Sequence, residues 1–140
     1  MEIEFFNSEN KELFLNKKEI EKRFEKIAFF ENYKIKHVNF VFVTDRTIFL
    51  LNSKFLNHYY PTDIITFNYC KSVFIEGDLF ISLDTVRINA KFYNNSFKSE
   101  LYRVMIHGIL HLMKFNDKTI IDIKKMRIKE NYYLKLFKNI

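Results

Sequence analysis

Residues 37–43, His-Val-Asn-Phe-Val-Phe-Val, constrain the fold more than any other segment. The run opens as an alternation and becomes continuously apolar, the pattern of a strand buried on both faces. Such a strand sits inside a sheet and needs layers packed over it. The remaining patterns supply them. Residues 2–6 alternate and predict a short strand. Asn16 and Glu19 form a capping box, and Leu15 can staple onto Ile20. A helix follows to about Phe30, with Ile20, Phe24, Ile27 and Ala28 on one face. Thr44 predicts the cap of a second helix, roughly 45–56, with Ile48, Leu51 and Phe55 inward.

Pro61 closes that region, and residues 62–69 predict another strand. Gly77-Asp78 predicts a turn, and residues 79–83 the next strand. Asp84 predicts the start of a short helix to about Phe92. Ser96 then caps a helix over roughly 97–113, and Thr119 a final amphipathic helix. The order β-α-β-α-β-β-α-α-α predicts an α/β (α+β) fold. In it a small mixed four-stranded sheet is covered by about five helices, in one domain spanning residues 1–140.

The fourth predicted helix carries His107-Gly-Ile-Leu-His111, and Asp117 follows six residues later. Two histidines at i, i+4 lie on one helical face. Taken alone, the pair reads first as a polar stripe at a helix edge, continuing Glu100 and Arg103, and is weak evidence for a metal. Asp117 changes the balance. A helix ending near Met113 lets the chain curl back and bring its carboxylate to the imidazoles. Two imidazoles and one carboxylate suit a divalent metal that keeps an open position for water. Gly108 costs the helix about 1 kcal/mol of propensity, which points to a close backbone approach there. A zincin protease carries Glu directly after the first histidine as its base. Gly108 stands there instead. The same ligand set describes non-haem iron oxygenases, which build it on barrel strands that this sequence lacks.

Composition adds limits rather than an activity. The formal net charge of +6 permits an anionic partner such as nucleic acid, but abundant Lys, Asn, Ile, Phe and Tyr look like coding bias. A single cysteine, Cys70, excludes an internal disulfide and fits a reducing compartment. Met-Glu-Ile-Glu-Phe-Phe lacks the plan of a signal peptide, and no apolar run approaches a membrane span. These features lead us to expect a soluble, cytoplasmic protein.

The motif residues His107-Gly108-Ile109-Leu110-His111-Leu112-Met113-Lys114-Phe115-Asn116-Asp117 resemble the signature of the YbeY bacterial endoribonucleases. Leu51-Asn52, Phe55-Leu56-Asn57-His58, Pro61-Thr62-Asp63-Ile64-Ile65-Thr66-Phe67 and Gly77-Asp78-Leu79-Phe80-Ile81-Ser82 resemble other blocks of that family, collinearly over nearly the whole chain. Three positions depart from it. Asp117 replaces the commoner third histidine, Lys114 a usual glycine, and Leu56 an arginine assigned to RNA phosphates.

The resemblance implies one zinc ion held by His107, His111 and Asp117, with a metal-activated water attacking an RNA phosphodiester. It implies single-stranded ribosomal RNA as substrate, in small-subunit 3′-end maturation and ribosome quality control. Small-subunit ribosomal proteins and an assembly GTPase are the further expected partners. Asp63 and Asp78 are weak candidates for a base, each equally a cap or turn carboxylate. Arg103 can touch a phosphate or pair with Glu100. Lys54, Arg87 and Lys118 are candidate RNA contacts, with a solvated surface as the plain alternative. Tyr59 and Tyr60 can stack a base or pack a loop. The rival reading is a non-catalytic ribosome-assembly factor with a structural metal. A third is a metallohydrolase of another substrate.

Overall fold

The structure is a computed structural model that describes residues 2–7, 13–55 and 62–140. Four strands form one mixed sheet in the order β1-β2-β4-β3: β1 Ile3–Asn7, β2 Lys34–Val43, β3 Ile64–Asn68 and β4 Phe74–Ser82. β1 and β4 flank β2 in parallel, and β3 runs antiparallel along β4 at the edge. The central place expected for residues 37–43 follows from their apolar run, and the strand extends back to Lys34. Five α-helices cover the sheet: α1 Lys17–Phe30, α2 Asp45–Phe55, α3 Leu83–Phe92, α4 Phe97–Leu112 and α5 Ile120–Leu134. Among the described residues, no helix is long and apolar enough to cross a membrane.

Period-2 alternation divides the sheet into two faces. Val38, Phe40 and Phe42 of β2, with Ile75, Leu79 and Ile81 of β4, enter the main core beneath α1 and α4. Val41, Phe67 and Phe80 face the other way and pack with Val43, Ile48 and Ile65 under α2. Fully burying one such Ile or Leu side chain contributes about 1.5–3 kcal/mol.

Two sequence expectations need correction. Gly77-Asp78 is not a turn but lies inside β4. A Cβ on Gly77 would fall 2.6 Å from Leu112 Cδ2 and 2.7 Å from the Phe67 carbonyl, so glycine is there because α4 and β3 come close. The turn lies earlier, where Lys71 and Phe74 exchange backbone hydrogen bonds. α3 starts within one residue of the expected Asp84: Ser82 caps it, accepting the Thr85 N–H at 3.2 Å, and the Asp84 carboxylate accepts the Asp45 N–H at the start of α2. The final helix is also less amphipathic than expected, because Ile120, Ile121, Ile123 and Ile128 are all exposed. The expected inward Phe55 side chain and residues Leu56, Tyr59, Tyr60 and Pro61 lie outside the described residues.

Candidate metal centre

The site is built on α4, the most buried helix. Ser96 starts it by accepting the Ser99 N–H at 3.0 Å. Leu101, Val104, Met105, Ile109 and Leu112 are buried, as their spacing predicts. At Gly108 a Cβ would meet Ile64 Cδ1 at 2.7 Å and Leu79 Cδ1 at 3.0 Å. The missing side chain lets the helix lie against β3 and β4. This leaves His107 and His111 on its half-exposed edge, in a cleft lined by β3.

The chain then reverses through a Schellman motif. Phe115 N–H donates to the Leu110 carbonyl at 3.1 Å, and Lys114 N–H to the His111 carbonyl at 3.0 Å. Lys114 takes the left-handed conformation this requires, with φ 70°. The turn is held from behind. Tyr33 Oη donates to the Met113 carbonyl at 3.2 Å. The Lys129 ammonium sits 5.3 Å from the Phe115 ring centre and is itself paired with Glu31 at 2.6 Å.

Asp117 therefore returns to the histidines. Its Oδ2 lies 3.4 Å from His107 Nε2 and 3.5 Å from His111 Nε2. The two Nε2 atoms are 2.9 Å apart. Ligands about 2.0–2.1 Å from a tetrahedral zinc lie roughly 3.3–3.4 Å from each other. The two edges to Asp117 match that span, and the Nε2–Nε2 edge is shorter, at 2.9 Å.

The outer hydrogen bonds determine which nitrogen faces inward. His111 Nδ1 donates to the Phe115 carbonyl at 2.9 Å, a group that can only accept. His107 Nδ1 donates to Glu130 Oε2 at 2.7 Å. In the neutral rings both Nε2 lone pairs then point at each other and at a carboxylate oxygen. That arrangement is repulsive unless a proton or a metal cation sits among them, and two imidazole nitrogens with one carboxylate oxygen are a donor set that fits a divalent metal. Burial works against a charge on His107, but Glu130's hydrogen bond and charge, with help from Asp63 and Asp117, outweigh it and raise its pKa. Burial, followed by the His107 charge, lowers the pKa of His111.

The other candidates are spread unevenly. Asp63, just before β3, lines the clefts on both sides of His107, and burial raises its pKa. Arg103 pairs with Glu130 at 3.3 Å, not simply with Glu100. Lys118 lines the cleft beside His111, together with Lys114. Lys54 and Arg87 are not among the residues lining either cleft; Arg87 lies 3.6 Å from Asp84 and over the Phe97 ring. Asp78 is on the opposite face of the sheet, accepting from Asn39 Nδ2 at 2.9 Å, and so is no base for this centre.

Sequence reasoning missed Glu130. Its signal was present in α5, where a carboxylate stands on the buried stripe with Met126 and Tyr133. It missed Lys114 as a cleft cation too, having weighed it only as a misplaced glycine.

The chain is similar to known proteins over most of its length. The family model described as Endoribonuclease YbeY matches residues 4–138. A protein named Endoribonuclease YbeY from Azobacteroides pseudotrichonymphae is 45% identical over 117 residues, 84% of each chain. One of the same name from Cytophaga hutchinsonii is 40% identical over 137 residues, covering 97% of this chain and 96% of its own. A solution structure from Thermotoga maritima superposes with a TM-score of 0.67 at 28% identity, covering 97% of this chain and 88% of that one.

Proposed function

This chain belongs to the YbeY endoribonuclease family, and from that premise we propose that it cleaves single-stranded ribosomal RNA in the cytoplasm, using a zinc ion held by His107, His111 and Asp117. The observation that carries the reading is the inward triangle of two Nε2 atoms and one carboxylate oxygen. Among the described residues, no fourth His, Cys, Asp or Glu joins that cluster. Three protein ligands with a position left open are the pattern of a catalytic rather than a structural zinc. A bound zinc supplies Lewis acidity and lowers the pKa of water from about 15.7 towards 7.

The chain's own residues do the rest. Glu130 and the Phe115 carbonyl orient the two imidazoles from outside. Asp63, at the boundary of both clefts, is the carboxylate placed to take or return a proton near His107. Arg103 fixes Glu130 and thereby His107, acting through them rather than on the substrate. Lys114 and Lys118 offer positive charge to phosphates entering beside His111. Residues 1–140 act as one unit, and small-subunit ribosomal proteins and an assembly GTPase are the further partners. A binding-only assembly factor is not favoured, because the relatives carry the name of an endoribonuclease.

The test pairs metal analysis of the purified protein with cleavage of single-stranded RNA. About one zinc per chain and cleavage lost to a chelator support the proposal. Cleavage that survives chelation, or tight RNA binding with no cleavage at any zinc concentration, overturns it.

A further inference from the structure

The cleft beside His107 continues away from the ligand atoms, between α3 and α5. Its outer walls are made of side chains that the metal centre does not use. Asn89 and Tyr93 are four apart and share one face at the end of α3. Ile123 and Arg127, also four apart, share one face of α5. Tyr93 is 58% exposed and Ile123 51%, two large apolar surfaces at the mouth of one cleft.

The floor has a different chemistry. Glu100 and Glu130 are 5% and 4% exposed, and Asp63 and Asp117 stand beside His107. Arg103 is engaged with Glu130. Arg127 has only a 3.9 Å contact with Glu130 and leaves most of its side chain in solvent. A phosphate is repelled from this floor and attracted only to its rim. The cleft suits an uncharged group with flat apolar faces and a hydrogen-bonding edge.

The backbone that carries Tyr93 is also held in place. Its N–H bonds to the Asn89 carbonyl at 2.9 Å, and Asn95 N–H closes the turn onto the Ala90 carbonyl at 2.8 Å. The Phe92 ring stands edge-on to the Tyr93 ring at 5.0 Å between centres. A platform held in advance loses little freedom when a ring stacks on it. The Asn89 side-chain amide, half-buried in the cleft wall, makes no hydrogen bond within the described residues that would occupy it.

We propose that this cleft is a nucleobase subsite. It takes the base of an unpaired ribonucleotide flanking the bond held at the metal centre. The base stacks on Tyr93 and against Ile123, the Asn89 amide meets its edge, and Arg127 holds the adjoining phosphate. The inference rests on the endoribonuclease reading for its substrate class, and on the α3–α5 cleft for its location.

The experiment measures binding of a short single-stranded oligoribonucleotide by fluorescence anisotropy in chelator, so that nothing is cleaved. Tyr93→Leu, at an exposed position, should leave the melting temperature unchanged and weaken binding about 5- to 150-fold. Tyr93→Phe should bind like wild type. Replacing one nucleotide at a time by an abasic residue should reveal a position whose loss matches that of Tyr93→Leu in wild type and adds nothing in Tyr93→Leu. Equal abasic penalties in the two proteins at every position, or binding by Tyr93→Leu within twofold of wild type, overturn the subsite. A zinc-loaded wild type that cleaves no RNA while the abasic pattern holds removes the catalytic reading and leaves the subsite standing. Cleavage by a Tyr93→Leu variant with unchanged KM removes the subsite alone.

Discussion

Glu130 accepts a hydrogen bond from His107 across 23 residues of chain, Oε2 to Nδ1 at 2.7 Å. Its other oxygen faces Arg103 and Arg127. Burial opposes the charge on this carboxylate, but His107 and the two arginines outweigh it and lower its pKa. One acid on α5 thus orients the His107 imidazole on α4.

Glu130→Gln keeps the shape and an acceptor oxygen but removes the charge. Loss of an outer-shell partner of this kind typically costs about 10–100-fold in metal affinity. Zinc affinity measured by competition with a chromophoric chelator should fall within that range. An unchanged affinity would show that Glu130 does not support the ligand.

The Asp117 carboxylate approaches both imidazoles at 3.4 and 3.5 Å. Asp117→His supplies another zinc-compatible donor from the same turn and should retain most of the metal. His111→Ala should lose most of it. Equal metal content in wild type and His111→Ala, by elemental analysis, would exclude the site.

Lys114 combines a backbone cost with a charge at the cleft. Lys114→Gly should stabilise the fold by about 1 kcal/mol by relieving the left-handed conformation. It should also weaken RNA binding and reduce the salt slope by about 0.7, the single-strand value for one phosphate contact. Denaturant melts and a salt titration read the two effects separately. A stabilised protein with an unchanged slope would leave Lys114 no part in RNA binding.

The two glycines should respond differently to alanine. At Gly77 the new Cβ meets the Phe67 carbonyl, a backbone atom that cannot turn away. Gly77→Ala should cost about 1–3 kcal/mol, the usual range for overpacking. At Gly108 the near atoms are side-chain ends of Ile64 and Leu79. There the helix gains about 1 kcal/mol in propensity, so Gly108→Ala should be the milder change. Urea unfolding of both variants checks the order.

Much of this protein was legible in its sequence because local rules govern that part. Apolar runs, alternating at residues 2–6 and continuous at the end of 37–43, placed the strands, and Asn16, Thr44, Ser96 and Thr119 marked helix starts through side chains that act within three residues. The His107–His111 pair followed from the helical repeat, and the return of Asp117 from a helix ending near Met113. The errors came where a residue's meaning lay in a distant neighbour. Gly77 looked like a turn because glycine often is one, and only Leu112 and Phe67 show why it sits in a strand. Asp84 was legible as the start of its own helix, but its bond to the Asp45 N–H of α2, 39 residues away, was not. Glu130, Arg103 and Tyr93 reach the His107 cleft from α5, α4 and the end of α3. Which residues surround His107 depends on how three helices pack on one sheet edge, and local periodicity carries no information about that. The sequence by itself determined the elements and singled out His107, His111 and Asp117; tertiary packing decided which charges orient those side chains and which surfaces around them are left open.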